Sequence, residues 1–238
     1  MDNVFKIDEE PIPFVPGQTI LEAAKAAGVY IPHLCYQPDF NQHGGCKLCT
    51  VLVNGRTRTA CTHKAAVGQE VDVNTPELDA MRRSLVQMLF IEGNHFCPGC
   101  EKSGSCQLQA LGYEYEMMSP HFVELYPHRE VDASHPDVLI DFNRCILCEL
   151  CVRASRDVDH KEVFAVGGRG LDAKLIINSP TGKLGDSAFA VTDRAAHVCP
   201  VGAILVKGVG FATPIGDRAY DKEAISAEAE SCEVPETT

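Results

Sequence analysis

The chain has 238 residues, a formal charge of −12, twelve cysteines and no tryptophan. That charge excludes a nucleic-acid binder held by phosphate attraction, and few aromatic residues with no tryptophan suggest no base-stacking platform. No export signal opens the chain, and the longest apolar patch, 198–206, is broken by Pro200 and Gly202 far short of a bilayer span. The expectation is a cytoplasmic protein whose cysteines bind metal in several small units instead of pairing as disulfides.

Extended stretches at 3–7 and 11–15 flank the acidic turn Asp8-Glu9-Glu10. Thr19 and Glu22 have the spacing of a capping box and open a helix that Gly28 stops. Cys35, Cys46 and Cys49 follow. Two β-prone runs, 50–53 and 56–60, are joined by Asn54-Gly55, a strong hairpin signal, and Cys61 closes the second. A strand pair, a helix and a second hairpin crossed by four cysteines describe a ferredoxin of the β-grasp type. The spacing Cys35-x10-Cys46-x2-Cys49-x11-Cys61 is a variant of the plant-type pattern, so these four are expected to hold a 2Fe–2S cluster. Gly44-Gly45 lets that loop fold with amides aimed at sulfur. Zinc is the competing reading on spacing alone.

A helix is expected over 75–93. Thr75 caps it, Pro76 suits its first turn, and Leu78, Met81, Leu85, Met88 and Leu89 form a stripe for the core. Beyond it, Cys97-x2-Cys100-x5-Cys106 supplies three thiolates for a 4Fe–4S cluster and leaves one iron without sulfur from the chain. His95 is the nearest suitable fourth ligand, since imidazole can replace thiolate on iron. The other eight histidines carry no such adjacency. A short helix at 107–113 is expected behind this site.

Cys145-x2-Cys148-x2-Cys151 offers three corners of a second 4Fe–4S cluster. In a two-cluster ferredoxin the run continues x3-Cys-Pro, but Ser155-Arg156 stands there, and the Cys-Pro appears as Cys199-Pro200. Counting back from Cys199 by the same spacing gives Ala195, Thr192 and Phe189, so the second triplet is gone. Cys199 is therefore expected to close the cluster begun by Cys145, Cys148 and Cys151. Gly167-Gly168-Arg169-Gly170 lacks a dinucleotide fingerprint and reads as a turn near this cluster. Residues 217–238 carry seven acidic against two basic side chains and are expected to be partner-facing or loosely ordered, with Cys232 a spare thiol.

The ordered sets Cys35/46/49/61, His95-Phe-Cys-Pro-Gly-Cys-Glu-Lys-Ser-Gly-x-Cys, Cys145-x2-Cys-x2-Cys, Gly168-Arg-Gly and Cys199-Pro-Val-Gly-Ala cover nearly the whole chain. They resemble the N-terminal iron–sulfur region of the large iron–sulfur subunit of respiratory complex I, the front of iron-only hydrogenases and the small diaphorase subunit of NAD-reducing nickel–iron hydrogenases. In complex I the histidine lies four residues before the first cysteine, where this chain has Gly93. The chain ends soon after Cys199, without the long extensions of the first two relatives, and so is most similar to the third. The resemblance implies an α+β fold: a 2Fe–2S ferredoxin-type domain at 1–76, a small helical His/Cys-ligated 4Fe–4S domain at 77–125, a ferredoxin-like 4Fe–4S domain at 126–215 and an acidic tail at 216–238. It also implies an electron-transfer subunit with no catalytic centre of its own. FMN and NAD would sit on a diaphorase large subunit at one end, with the small and large subunits of a nickel–iron hydrogenase at the other. The alternative is the equivalent subunit of an NAD-dependent formate dehydrogenase or a complex I-like dehydrogenase.

Overall fold

The structure, a computed structural model, describes residues 3–117 and 119–229. Strands β1 (Val4–Ile7) and β2 (Glu10–Pro13) form a hairpin, with Asp8 and Glu9 in the left-handed region at φ 47° and 74°. Helix α1 (Ile20–Ala26) starts at a complete capping box: the Glu22 amide donates to Thr19 Oγ1 and the Thr19 amide donates to Glu22 Oε2. Strands β3 (Thr50–Val53) and β4 (Arg56–Thr59) close on Asn54 and Gly55, both left-handed as a two-residue hairpin requires. The sequence pattern did not reveal the short β5 (Glu70–Asp72), which lies at the centre of the sheet. It runs parallel to β1 and antiparallel to β3, giving the order β2-β1-β5-β3-β4. Only Val71 of β5 points into the core, so the segment carries too little alternation to be read as a strand. Ile20, Leu21, Ala23 and Ala24 of α1 pack with Phe5, Ile7, Val51 and Val71 of the sheet.

Helix α2 (Pro76–Glu92) has the expected cap, with Leu78 N donating to Thr75 Oγ1 at 3.2 Å. Its buried face differs from the expected stripe. Met88 is exposed, and burial falls on Leu78, Arg82, Val86, Gln87 and Ile91. Arg82 is 1% exposed and donates to the carbonyls of Val73 (2.9 Å), Thr50 (3.0 Å) and Leu48 (3.3 Å). A buried guanidinium is tolerable only with its donors used, and here they bind the helix to the backbone on either side of Cys49. Helix α3 (Gln107–Glu114) begins directly after Cys106 and packs on α2, as expected.

The C-terminal unit holds β6 (Val131–Asp132), β7 (Val138–Asp141), α4 (Leu150–Arg153), the hairpin β8 (Phe164–Gly167) and β9 (Lys174–Ile177), α5 (Arg194–His197) and β10 (Ile204–Val206). Its sheet runs β10-β7-β6, all antiparallel. Helix α4 continues as one wider turn through Val158. The positions where a second cysteine triplet would stand are filled or turned outward. Phe189 and Ala195 are buried with Phe164, Leu175 and Leu184, while Thr192 is exposed. Ser155, in place of the displaced cysteine, is buried and accepts from Val163 N at 2.9 Å.

The first part of the acidic tail is not loose, contrary to expectation. Ile225 is buried beside Val86, Leu108 and Leu111, and Arg218 pairs with Asp221 while donating to Ser103 O. Tyr220 N donates to Gly104 O at 2.8 Å. Charge counting missed this because one apolar side chain and backbone bonds hold the segment. Cys232 and the remainder of the tail lie outside the described residues.

Candidate metal centres

The first set lies on the long loop between α1 and β3 and at the end of β4. Cys35, Cys49 and Cys61 are buried, and Cys46 is half-buried. Cys46 N points at Cys35 Sγ across 3.5 Å. The thiols lie in two hydrogen-bonded pairs, Cys35 with Cys46 and Cys49 with Cys61. The pairing pulls Cys35 down to about 5 and lowers Cys61, while Cys46 and Cys49 are pushed up. Four sulfurs converging in two pairs fit the thiolate set that a two-iron cluster takes from a chain.

The second set lines a cavity with an empty volume of about 330 Å3, where Cys97, Cys100 and Cys106 meet His95. The histidine lies two residues later than in complex I, and the structure shows how it still reaches the site. Gly93, at the family's histidine position, has no side chain, and a Cβ there would overlap the His95 ring. The imidazole folds back into that space and packs edge-on against Phe90, with centroids 5.3 Å apart. Its Nε2 is buried with no hydrogen-bond partner among the described residues. Burial holds this histidine down at about 4, with the Leu89 backbone pulling the other way, so the ring is neutral at pH 7, the form that binds iron. A buried, unpartnered imidazole nitrogen on a histidine that lines one cavity with three thiols fits a four-iron cluster with one nitrogen ligand. The backbone of Leu89 is the hydrogen-bond partner of the ring, and Glu101 is taken up by Arg144.

The third set, Cys145, Cys148, Cys151 and Cys199, lines a separate space of about 380 Å3. Leu147 and Glu149 take left-handed conformations at φ 51° and 59°, which winds the loop around this space. The amides of Leu147, Leu150 and Val152 bond to the sulfurs of Cys145, Cys148 and Cys151 in turn. Burial outweighs those amides, pushing Cys145 up to about 11 and the other two well up. Thiols so buried deprotonate when a cation compensates them, and cluster uptake would release those protons.

Two arginines that spacing alone did not single out tie the sets together. Arg153, 4% exposed, donates through Nη2 to both Cys35 O (2.6 Å) and Cys148 O (3.3 Å) and through Nη1 to Asn41 O (3.0 Å). Arg144, next to Cys145, reaches Cys100 Sγ at 3.4 Å. Their closeness to cysteines in sequence was the available signal. An arginine two residues after a ligand looks solvent-facing until the other loop is in place.

Three thiol-lined sites in one small chain define an iron–sulfur electron-transfer protein. Residues 4–76 match the family described as a 2Fe-2S iron-sulfur cluster binding domain. Residues 82–121 match the NADH-ubiquinone oxidoreductase-G iron-sulfur binding region, and 138–206 the 4Fe-4S single cluster domain. The chain is 41% identical over 228 residues to the gamma subunit of the NAD-reducing hydrogenase HoxS of Cupriavidus necator, covering 94% of this chain and 95% of that one. It is 30% identical to the mitochondrial NADH-ubiquinone oxidoreductase 78 kDa subunit of Neurospora crassa, with 86% of this chain but only 28% of that protein covered. A chain in a crystal structure of an NAD+-reducing [NiFe]-hydrogenase in the H2-reduced state superposes with a TM-score of 0.92 at 55% identity, covering 95% of this chain and 97% of that one. The chain belongs to the gamma-subunit family of NAD-reducing hydrogenases. No helix among the described residues is long and apolar enough to cross a membrane.

Proposed function

We propose that the chain relays single electrons between a flavin- and NAD-binding diaphorase subunit and the two subunits of a nickel–iron hydrogenase, in the cytoplasm. In this reading Cys35, Cys46, Cys49 and Cys61 hold one 2Fe–2S cluster. His95, Cys97, Cys100 and Cys106 hold a 4Fe–4S cluster, and Cys145, Cys148, Cys151 and Cys199 hold another. The five-stranded sheet with α1 is then a β-grasp ferredoxin (1–76), α2 and α3 carry the His/Cys site (77–125), and the C-terminal unit (126–215) is a ferredoxin that keeps one of two ancestral sites.

Bound clusters would supply the one-electron chemistry. The chain's own residues hold the ligands, exclude water and fix the spacing between sites. The observation that carries the relay reading is the pair of arginine links. Arg153 joins the Cys35 loop to the Cys148 loop, and Arg144 joins the Cys145 loop to Cys100. These contacts support an order from the Cys35 set through the Cys145 set to the His95 set. Iron analysis tests the reading: about ten irons per chain are expected, two plus four plus four. Saturation near about six irons would remove one four-iron assignment. The flavin-free chain should not oxidise NADH with an artificial acceptor until the diaphorase partner is added, and robust activity without it would contradict the reading. The likeness to the Neurospora crassa protein favours a complex I-like dehydrogenase as the second reading. Identifying the chains that co-purify separates the two.

A further inference from the structure

Arg144 belongs by sequence to the third site, but its guanidinium lies against the second. Nη1 donates to Cys100 Sγ at 3.4 Å, to Glu101 Oε2 at 2.9 Å and to Gly202 O at 3.3 Å, while Nε pairs with Asp141 Oδ2 at 2.9 Å. The side chain is only 16% exposed, so solvent screens these contacts weakly. Gly202 makes the approach possible: a Cβ there would stand 2.7 Å from Cys100 Sγ and 3.4 Å from Arg144 Nη1. Among the described residues no other arginine or lysine donates to a cysteine sulfur. The two carboxylates fix the guanidinium from opposite sides, which holds the donor on the sulfur instead of letting it swing to solvent.

We infer that Arg144 is a positioning residue that raises the reduction potential of the His95-ligated cluster, by holding a cationic N–H donor against the Cys100 thiolate. A reduced cluster carries one more negative charge than the oxidised one. A fixed positive charge and a hydrogen bond on the ligand sulfur stabilise the reduced form more. The same group couples the second site to the third through Gly202, three residues beyond Cys199. The inference rests on the assignment of a cluster to His95, Cys97, Cys100 and Cys106.

A redox titration followed by electron paramagnetic resonance on the full chain with its clusters tests it. Arg144→Gln should lower the reduction equilibrium of the middle cluster by about tenfold, or about 59 mV for one electron, and leave the other two unmoved. Arg144→Lys keeps the charge but lacks the fork needed to reach Cys100, Glu101 and Asp141 at once, so its potential should fall between the two. An unchanged middle potential in Arg144→Gln, with that cluster's spectrum at full intensity, overturns the inference, even if the melting temperature drops as loss of a brace would cause. If Arg144→Gln does not fold, an Arg144→Lys protein with the potential of the unmodified chain overturns it equally. A missing middle spectrum in the unmodified chain would instead overturn the underlying cluster assignment.

Discussion

The cavity beside His95 and the cavity beside Cys145 differ in their walls. Around His95, Cys97, Cys100 and Cys106 stand Phe90, Phe96 and Leu108 together with Arg144, Gln109 and Ser103, and of these Arg144 donates to a sulfur. Around Cys145, Cys148, Cys151 and Cys199 stand Val166, Leu175, Val201, Ala203 and Ile204, with Glu149 the one charged side chain. In the proposed reading one ligand set trades a thiolate for a neutral imidazole and takes an arginine N–H on sulfur, and the other keeps four thiolates whose hydrogen bonds come from backbone amides. Both differences would favour an extra electron on a cluster in the first cavity over one in the second. With clusters bound as proposed, the surroundings would set an uphill and a downhill station within one short chain.

Removing a ligand should break this comparison most visibly. Cys151 belongs to the core of the C-terminal unit, whereas Cys97 sits half-exposed at the rim of its cavity. Cys151→Ser should lose about four irons and also lower the melting temperature sharply, because the apolar walls lose what they enclose. Cys97→Ser should lose about the same iron with a much smaller thermal effect. Equal melting losses would mean that the two sites bear the fold alike.

The link between the sites comes next. Arg153→Met would leave the carbonyls of Cys35, Asn41 and Cys148 without their donor, at about 1–3 kcal/mol for each one left buried and unpaired. Denaturant unfolding should show that loss, and stopped-flow reduction should show slower exchange between the first and third clusters. Normal exchange would remove Arg153 from the relay.

Replacing the nitrogen ligand sharpens the contrast without breaking the fold. His95→Ala should leave two clusters intact and make the middle one labile, read as loss toward a three-iron spectrum. His95→Cys should keep four irons there and lower the potential, since anionic thiolate favours the oxidised cluster. A middle cluster unchanged in spectrum and potential in His95→Ala would remove His95 from the site.

The smallest effect concerns the strap over the middle site. The Arg218 guanidinium holds the Asp221 carboxyl well below the usual carboxylate range. A depressed carboxylate contributes its stability above the unfolded value, near about 4, and loses it only as pH falls through the lower folded value. Protease access to residues 214–221 should therefore be flat from pH 8 to about 5 and rise only in stronger acid. Asp221→Asn should open the strap at neutral pH.

Much of this was legible in the residues. Each cysteine set stood out by the close spacing of its loop members, and the structure brings the members of each set together. Asn54-Gly55, the Thr19–Glu22 box and Thr75-Pro76 fixed their turns and caps, since these are local events. What stayed hidden depended on partners distant in sequence. The single inward valine of β5 gains its place from β1 and β3, and Arg82, Arg144 and Arg153 bury their charges only once carbonyls and carboxylates from other segments arrive. The displacement of His95 became intelligible only with the empty Cβ position of Gly93 in view.

With a cluster bound as proposed, the filled half of the C-terminal unit would act as an insulator. Phe189 packs edge-on with Phe164, ring centroids 5.4 Å apart, and with His135 at 5.6 Å, where a sister metal site would otherwise stand. Hydrocarbon has no accessible redox level and admits no water, so that flank offers an electron neither a parking place nor a leak to dissolved oxidants. In the proposed relay, current entering the unit would leave by the two sides that Arg144 and Arg153 link.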